Sequence, residues 1–128
     1  IDHFSATVLV GYDPAESTYG CFRRLMANMA AYAYTYPKEL WFLENYAHSP
    51  FIPEETRDRK IPLITACFSL VKRGQAEHLI RDMHPMLCVQ LINGMLTAAV
   101  QGASLGKYPF AQKELDLVID ACWKALSA

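Results

Sequence analysis

Residues 83–106 carry no Asp, Glu, Lys or Arg, in a chain that is 20% charged overall. An uncharged run of that length restricts the possible folds severely. At 100° per residue, Gln90, Asn93, Thr97, Gln101 and Ser104 fall into one narrow wedge of a helix. Most of the remaining circumference is apolar: Leu87, Cys88, Val89, Leu91, Ile92, Met95, Leu96 and Val100. A helix resting on a single core needs an apolar arc of only about 100°. This one carries enough for a layer on each side, so it predicts its own core on one face and a partner on the other. Gly94, Ala98 and Gly102 recur every fourth residue, a line along which a second helix can approach closely. The length suits a membrane span, but the polar wedge and the charged amphipathic segments around it point to a central helix away from any membrane.

The 128 residues are 52% hydrophobic and carry a net charge of −1, which predicts one globular domain over 1–128. That charge argues against a free-standing nucleic-acid binder, which would show a basic excess or stripe. Cys21, Cys67, Cys88 and Cys122 are widely spaced, each within a predicted helix, and form no C-x-x-C. Buried reduced thiols are expected, which fits a cytoplasmic protein; no signal-peptide or lipidation pattern is visible. The sequence starts at Ile1, as a trimmed piece of a longer protein would.

The rest of the chain reads as further helices. Residues 1–11 predict the end of a helix with Phe4 and Val8 on one face, closed by a turn at Asp13-Pro14. From Glu16 onward the apolar positions Tyr19, Phe22, Met26, Met29, Ala33 and Tyr36 alternate three and four apart, which predicts an amphipathic helix. Pro37 breaks or restarts it. Residues 38–48 predict a short helix crowded with Trp41, Phe42 and Tyr46. After the Phe51-Ile52-Pro53 elbow, Glu54 and Glu55 open another helix, where the dipole favours acid. It turns apolar at Ile64, Cys67, Phe68 and Val71, with Pro62 as a kink or an effective start, and Lys72-Arg73-Gly74 reads as its stop. Residues 75–82 read as a short connector or helical turn, and residues 111–126 as a last helix with Leu115, Val118, Ile119, Cys122 and Leu126 on one face. The expected architecture is all-α, about six helices packed antiparallel.

Catalytic patterns are thin. Residues 102–106 spell G-x-S-x-G, but a nucleophile elbow needs a strand-to-helix turn and a later His. Ser104 instead falls at a helix end, and no His follows it. His3, His48, His78 and His84 lack metal-ligand spacing, and read as surface or capping residues. Glu54, Glu55 and Asp58 read as helix-start charges. No phosphate loop or dinucleotide fingerprint is present, and no cofactor is expected. The sequence does not read as an enzyme.

Aromatic and Met side chains do recur on separate helices: Phe22, Met26 and Met29; Phe42 and Tyr46; Phe68; then Leu91 and Met95 on the long helix. Asn45, Gln90 and Asn93 offer polar points among them. Small-molecule sites have this composition, and so does ordinary core; pattern alone leaves both open.

Residues 36–53, Tyr-Pro-Lys-Glu-Leu-Trp-Phe-Leu-Glu-Asn-Tyr-Ala-His-Ser-Pro-Phe-Ile-Pro, resemble the C-terminal, effector-binding half of TetR-type transcriptional regulators. There a proline-started helix with a Phe-Leu-Glu core often ends in Ser-Pro and an aromatic residue. The likeness continues through Ile80-Arg81 and Pro85, the long helix with Gly94, and a last helix closing on Trp123-Lys-Ala-Leu126. The resemblance implies a ligand among the middle helices, here Phe22, Met26, Met29, Phe42, Tyr46, Phe68, Leu91 and Met95. It implies a small, largely apolar effector and DNA contact only through an N-terminal helix-turn-helix, which these residues do not contain. A stand-alone helical carrier of apolar ligands is the alternative, and the residues upstream of Ile1 would discriminate.

The surplus apolar surface of the long helix predicts a homodimer. The last two helices of each subunit would form an intermolecular four-helix bundle through Leu87, Gly94, Ala98 and Gly102 on one helix and Val118, Cys122 and Trp123 on the other.

Overall fold

The computed structural model describes residues 6, 8–38 and 61–128. Four helices stand among them: α1 (Thr18–Thr35), α2 (Ile61–Ala76), α3 (Pro85–Ser104) and α4 (Gln112–Leu126). No strand occurs among the described residues; one isolated bridge joins Ile80 to Ser127. The described residues fold as helices joined by turns, in the all-α class expected. Of the predicted short helix over 38–48, all but Lys38, which is helical, lies outside the described residues, as does the start of the one opening at Glu54. Residues 6 and 8 are helical and lead into a turn over 9–11.

Several helix ends have a local cause. Ser17 caps α1, its hydroxyl accepting from the Gly20 amide at 3.0 Å, and α1 ends one residue before Tyr36-Pro37, as the proline requires. Pro85 opens α3, and the His84 imidazole accepts from the Met86 amide at 3.1 Å. His84 is therefore a capping histidine. Glu114 accepts from the Ala111 amide at 2.9 Å and closes the first turn of α4. Past α3, Gly106 takes φ +76°, the left-handed region that glycine enters freely. The predicted stop at Gly74 is not where α2 ends; the helix runs on to Ala76. Gly74 is needed for closeness instead, because a Cβ there would lie 2.7 Å from Ile80 Cγ1.

The core is one cluster shared by all four helices. α3 packs against each of the other three and contributes Cys88, Leu96 and Val100 to the interior. It is long and apolar enough to cross a membrane by length and composition, yet here it is the axle of a helical domain. α4 adds Ile119, Cys122 and Leu126, and α1 adds Phe22, Leu25, Met26 and Tyr32. Trp123 of α4 packs beneath the rings of Tyr19 and Phe22 of α1, with centroids 5.1 and 5.0 Å away, within the range at which aromatic pairs add to burial.

Polar contacts fasten the segment before α1. Asn28 of α1 donates to the carbonyls of Val8 at 3.0 Å and Val10 at 2.8 Å. Arg73 of α2 donates to the carbonyls of Pro14 at 3.0 Å and Glu16 at 2.8 Å. The hydroxyl of buried Thr18 donates to Glu77, whose carboxylate also meets Arg73 at 3.5 Å. These two partners, Thr18 first, hold the Glu77 carboxyl below its ordinary value of 4.5. A depressed carboxyl contributes stability above its unfolded pKa and loses it as pH falls through the folded one. Thermal melts of Glu77→Gln should therefore lie below the parent at neutral pH, with the gap closing on acidification. A gap independent of pH would refute this role.

Gly102 accommodates the chain's own loop. Tyr108 folds back so that its hydroxyl donates to the Ala99 carbonyl, and a Cβ on Gly102 would lie 2.9 Å from Tyr108 Cζ. Gly102→Ala should thus destabilise by about 1–3 kcal/mol through overpacking, against the ~1 kcal/mol that alanine normally returns in a helix. Chemical denaturation would measure it, and a net gain would show that Tyr108 gives way freely.

Candidate functional site

A cavity of about 200 Å³ opens between α1, α2 and α3. α1 lines it with Phe22, Leu25, Met26 and Met29. These sit three and four apart because only that spacing keeps one helical face on the space. α2 contributes Leu63, Ile64, Cys67, Leu70 and Val71 for the same reason. α3 supplies Met86, Cys88, Val89, Gln90, Ile92 and Asn93, while Ile80 and Leu126 line it too, brought together where the 79–81 segment pairs with the end of α4. In that pairing the Arg81 amide donates to the Leu126 carbonyl at 2.7 Å and the Ala128 amide to the Leu79 carbonyl at 3.1 Å.

The described wall has no Asp, Glu, Lys, Arg or His. Its ionisable groups are the thiols of Cys67 and Cys88. Burial pushes the Cys67 thiol up to about 11, and burial also raises that of Cys88. A group whose charged form is penalised in this way reports a medium poor at solvating charge. Gln90 and Asn93, one turn apart on α3, supply the polar side of an otherwise apolar wall. Among the described residues no cluster of His, Cys, Asp or Glu is arranged to hold a metal. Ser104 is exposed at the last position of α3, followed by a turn rather than preceded by a strand, so the literal G-x-S-x-G has no elbow around it.

The residues singled out in the sequence divide three ways. Phe22, Met26 and Met29 line the cavity together. Phe42 and Tyr46 lie outside the described residues, as does Asn45. Leu91 and Met95 are on α3 but outside the wall, 47% and 38% exposed. They follow the lining positions by one to three residues, which turns them towards the far side of the helix. Phe68 is half-buried beside the wall, with the Lys72 ammonium 5.6 Å from its ring centre. Sequence reading missed Cys67, Met86, Cys88 and the aliphatic side chains of α2 as wall residues. The i, i+4, i+7, i+8 spacing of Leu63, Cys67, Leu70 and Val71 was the available signal.

The expected interface residues divide as well. Leu87 and Ala98 are exposed, and nothing lies within 4 Å of a Cβ placed on Gly94. With Leu91 and Met95 they form an apolar exposed strip along α3, on the side facing away from the cavity. Leu117 of α4 is also open, at 59%. Gly102 is instead covered by Tyr108, Cys122 is fully buried in the chain's own core, and Val118 and Trp123 are half-buried against it. Those four positions are spent largely on intramolecular packing.

The described residues thus form a helical domain with an apolar cavity on one side of its central helix and an apolar exposed strip on the other. The model of the tetracycline repressor-like C-terminal domain family matches residues 19–127, and the chain belongs to that family. Among solved structures, a TetR family transcription regulator from Marinobacter aquaeolei VT8 superposes with a TM-score of 0.83 at 17% identity, over 98% of this chain and 66% of that one. A protein of unknown function from Rhodococcus sp. RHA1 gives 0.84 at 15% identity, over 99% and 67%. The chain spans about two-thirds of each. No curated protein matches it.

The neutral thiol at Cys67 gives a direct check on the wall. Thiolate is the reactive form, and a rise from 9.0 to about 11 leaves roughly 100-fold less of it at neutral pH. Alkylation of Cys67 by iodoacetamide should be slower than that of a free thiol by about that factor and should accelerate on unfolding. Mass spectrometry of the labelled peptides reads it; fast native labelling would place Cys67 in an aqueous setting.

Proposed function

We propose that this chain is the effector-binding and dimerisation domain of a TetR-type transcriptional regulator, and that it is not an enzyme. The cavity takes a small, largely apolar effector, and two copies associate through the exposed strip of α3 and the neighbouring surface of α4. DNA is contacted by a helix-turn-helix domain preceding these residues, and the intact regulator works in the cytoplasm. The observation that supports this reading most directly is the division of α3. Val89, Ile92 and Asn93 border the cavity, while Leu87, Leu91 and Met95, within a turn of them, are open. Exposed apolar strips of this kind mark partner surfaces, and a two-fold axis would bring the same strip together from both subunits.

The effector acts only to the extent that it binds the DNA-released arrangement better than the DNA-bound one. In the cavity such a preference has a simple origin, because occupancy sets the spacing of α1, α2 and α3. Helices that line an empty space relax towards it, and a ligand holds them apart.

Sedimentation of the chain at micromolar concentration tests the assembly, with Leu91→Arg run beside it. Leu91 is already exposed in the single chain, so the variant should keep its helicity and its melting behaviour as a monomer. The parent should sediment as a dimer and the variant as a monomer. A stable parent monomer would sink the dimer, and a dimeric variant would move the interface off α3. A gel shift with the chain alone should show no sequence-dependent DNA binding at physiological salt, since base readout needs an element in the groove backed by phosphate contacts.

A further inference from the structure

The cavity wall is rich in sulfur. Met26 and Met29 from α1, Cys67 from α2, and Met86 and Cys88 from α3 all border the same space. That is more than half of the chain's five methionines and four cysteines, drawn from three helices onto one cavity. By contrast, Met83 and Met95 are absent from the wall. Phe22 is the aromatic side chain among the described lining residues.

From this arrangement we propose that the cavity selects an uncharged aromatic ligand, with its ring held against the thioether and thiol groups of the wall. The proposal rests on reading the cavity as the effector site and narrows the class of effector. Sulfur is polarisable and favours the edge and face of an aromatic ring over a saturated surface of equal area. Methionines packed inside a closed core spend that preference on their neighbours; here they border empty space. The described part of the wall disfavours ionised ligands for a separate reason. The described wall offers no counter-charge, and a charge taken from water into an apolar space without a partner is strongly penalised. The raised Cys67 thiol reports the same penalty. Gln90 and Asn93 leave room for one polar substituent on the α3 side.

Isothermal titration of the 128-residue chain with four probes built on one fused ten-carbon bicycle tests this. They are 2-naphthol, its saturated counterpart 2-decalol, 2-naphthoate and 2-naphthylmethylammonium. 2-Naphthol should bind about tenfold tighter than 2-decalol and than either ion, as several sulfur–ring contacts together would give. Replacing Met26, Met29 and Met86 by leucine, a volume-conserving change, should bring naphthol and decalol to within about twofold of each other. Independently of that variant, the methyl resonances of Met26, Met29 and Met86 in the parent should shift under the ring current of bound 2-naphthol, upfield over the ring face and downfield at its edge, while those of Met83 and Met95 stay. Equal or tighter binding of the saturated or charged probes overturns the proposal and leaves the cavity as a ligand site of another class. Unmoved lining methyls with bound naphthol also overturn it. Failure of all four probes to bind overturns both the proposal and the cavity as an effector site.

Discussion

Everything in this domain is arranged by the packing of α3 against the other three helices. A helix without a charged side chain cannot rest on a surface with one face wet and the other dry in the ordinary way. It must be covered on most sides or leave apolar area open. Here Cys88, Leu96 and Val100 are covered by the chain itself, while Leu87, Leu91 and Met95 are not. α1, α2 and α4 each take one sector of the covered side. The cavity is the sector between α1 and α2 where the coverage is incomplete. Core, cavity and open strip are thus three consequences of one helix with more apolar circumference than its own chain can enclose.

Much of this was legible in the residues. The period of α1, the proline that ends it and the central place of α3 all followed from spacing and from backbone chemistry. The register around α3 was not legible to better than half a turn. Leu91 and Met95 share the composition of a cavity wall but face the other way, because a broad apolar arc does not say which part of it meets which neighbour. Gly74 and Gly102 were misleading in a more specific sense. Each resembles a breaker or an interhelical contact, and each is in fact filled by a side chain of its own chain, Ile80 and Tyr108. Loop-to-helix contacts of this kind depend on how a connector folds back, which periodicity does not encode. Trp123 shows the same limit. Its position on α4 was readable, but the two rings of α1 that cover it were not.

Electrostatics plays a restrained part in the interior. The ion pairs Arg23–Asp116, Arg24–Glu16 and Lys124–Asp120 lie on the outside, with side chains about a third to three-quarters exposed, where screening leaves such pairs weak. Burial pushes the Cys122 thiol up to about 11. The effect is a domain whose stability rests on apolar burial and helix capping, with its polar specificity concentrated in the turns before α1 and after α2.

Those turns have a mechanical meaning. The peptide over residues 8–17 is gripped at two places by different helices: Asn28 of α1 holds its early carbonyls and Arg73 of α2 its later ones. A strap fastened to two posts registers any change in the distance between them. The cavity lies between these same two posts, with Cys67 and Val71 lining it less than two turns before Arg73 and Leu25 and Met29 lining it on either side of Asn28. Widening that gap by a fraction of an ångström must either stretch the strap, swing it, or break one of its four carbonyl bonds. The backbone before α1 is in this way a strain gauge for the spacing of the two helices beneath it.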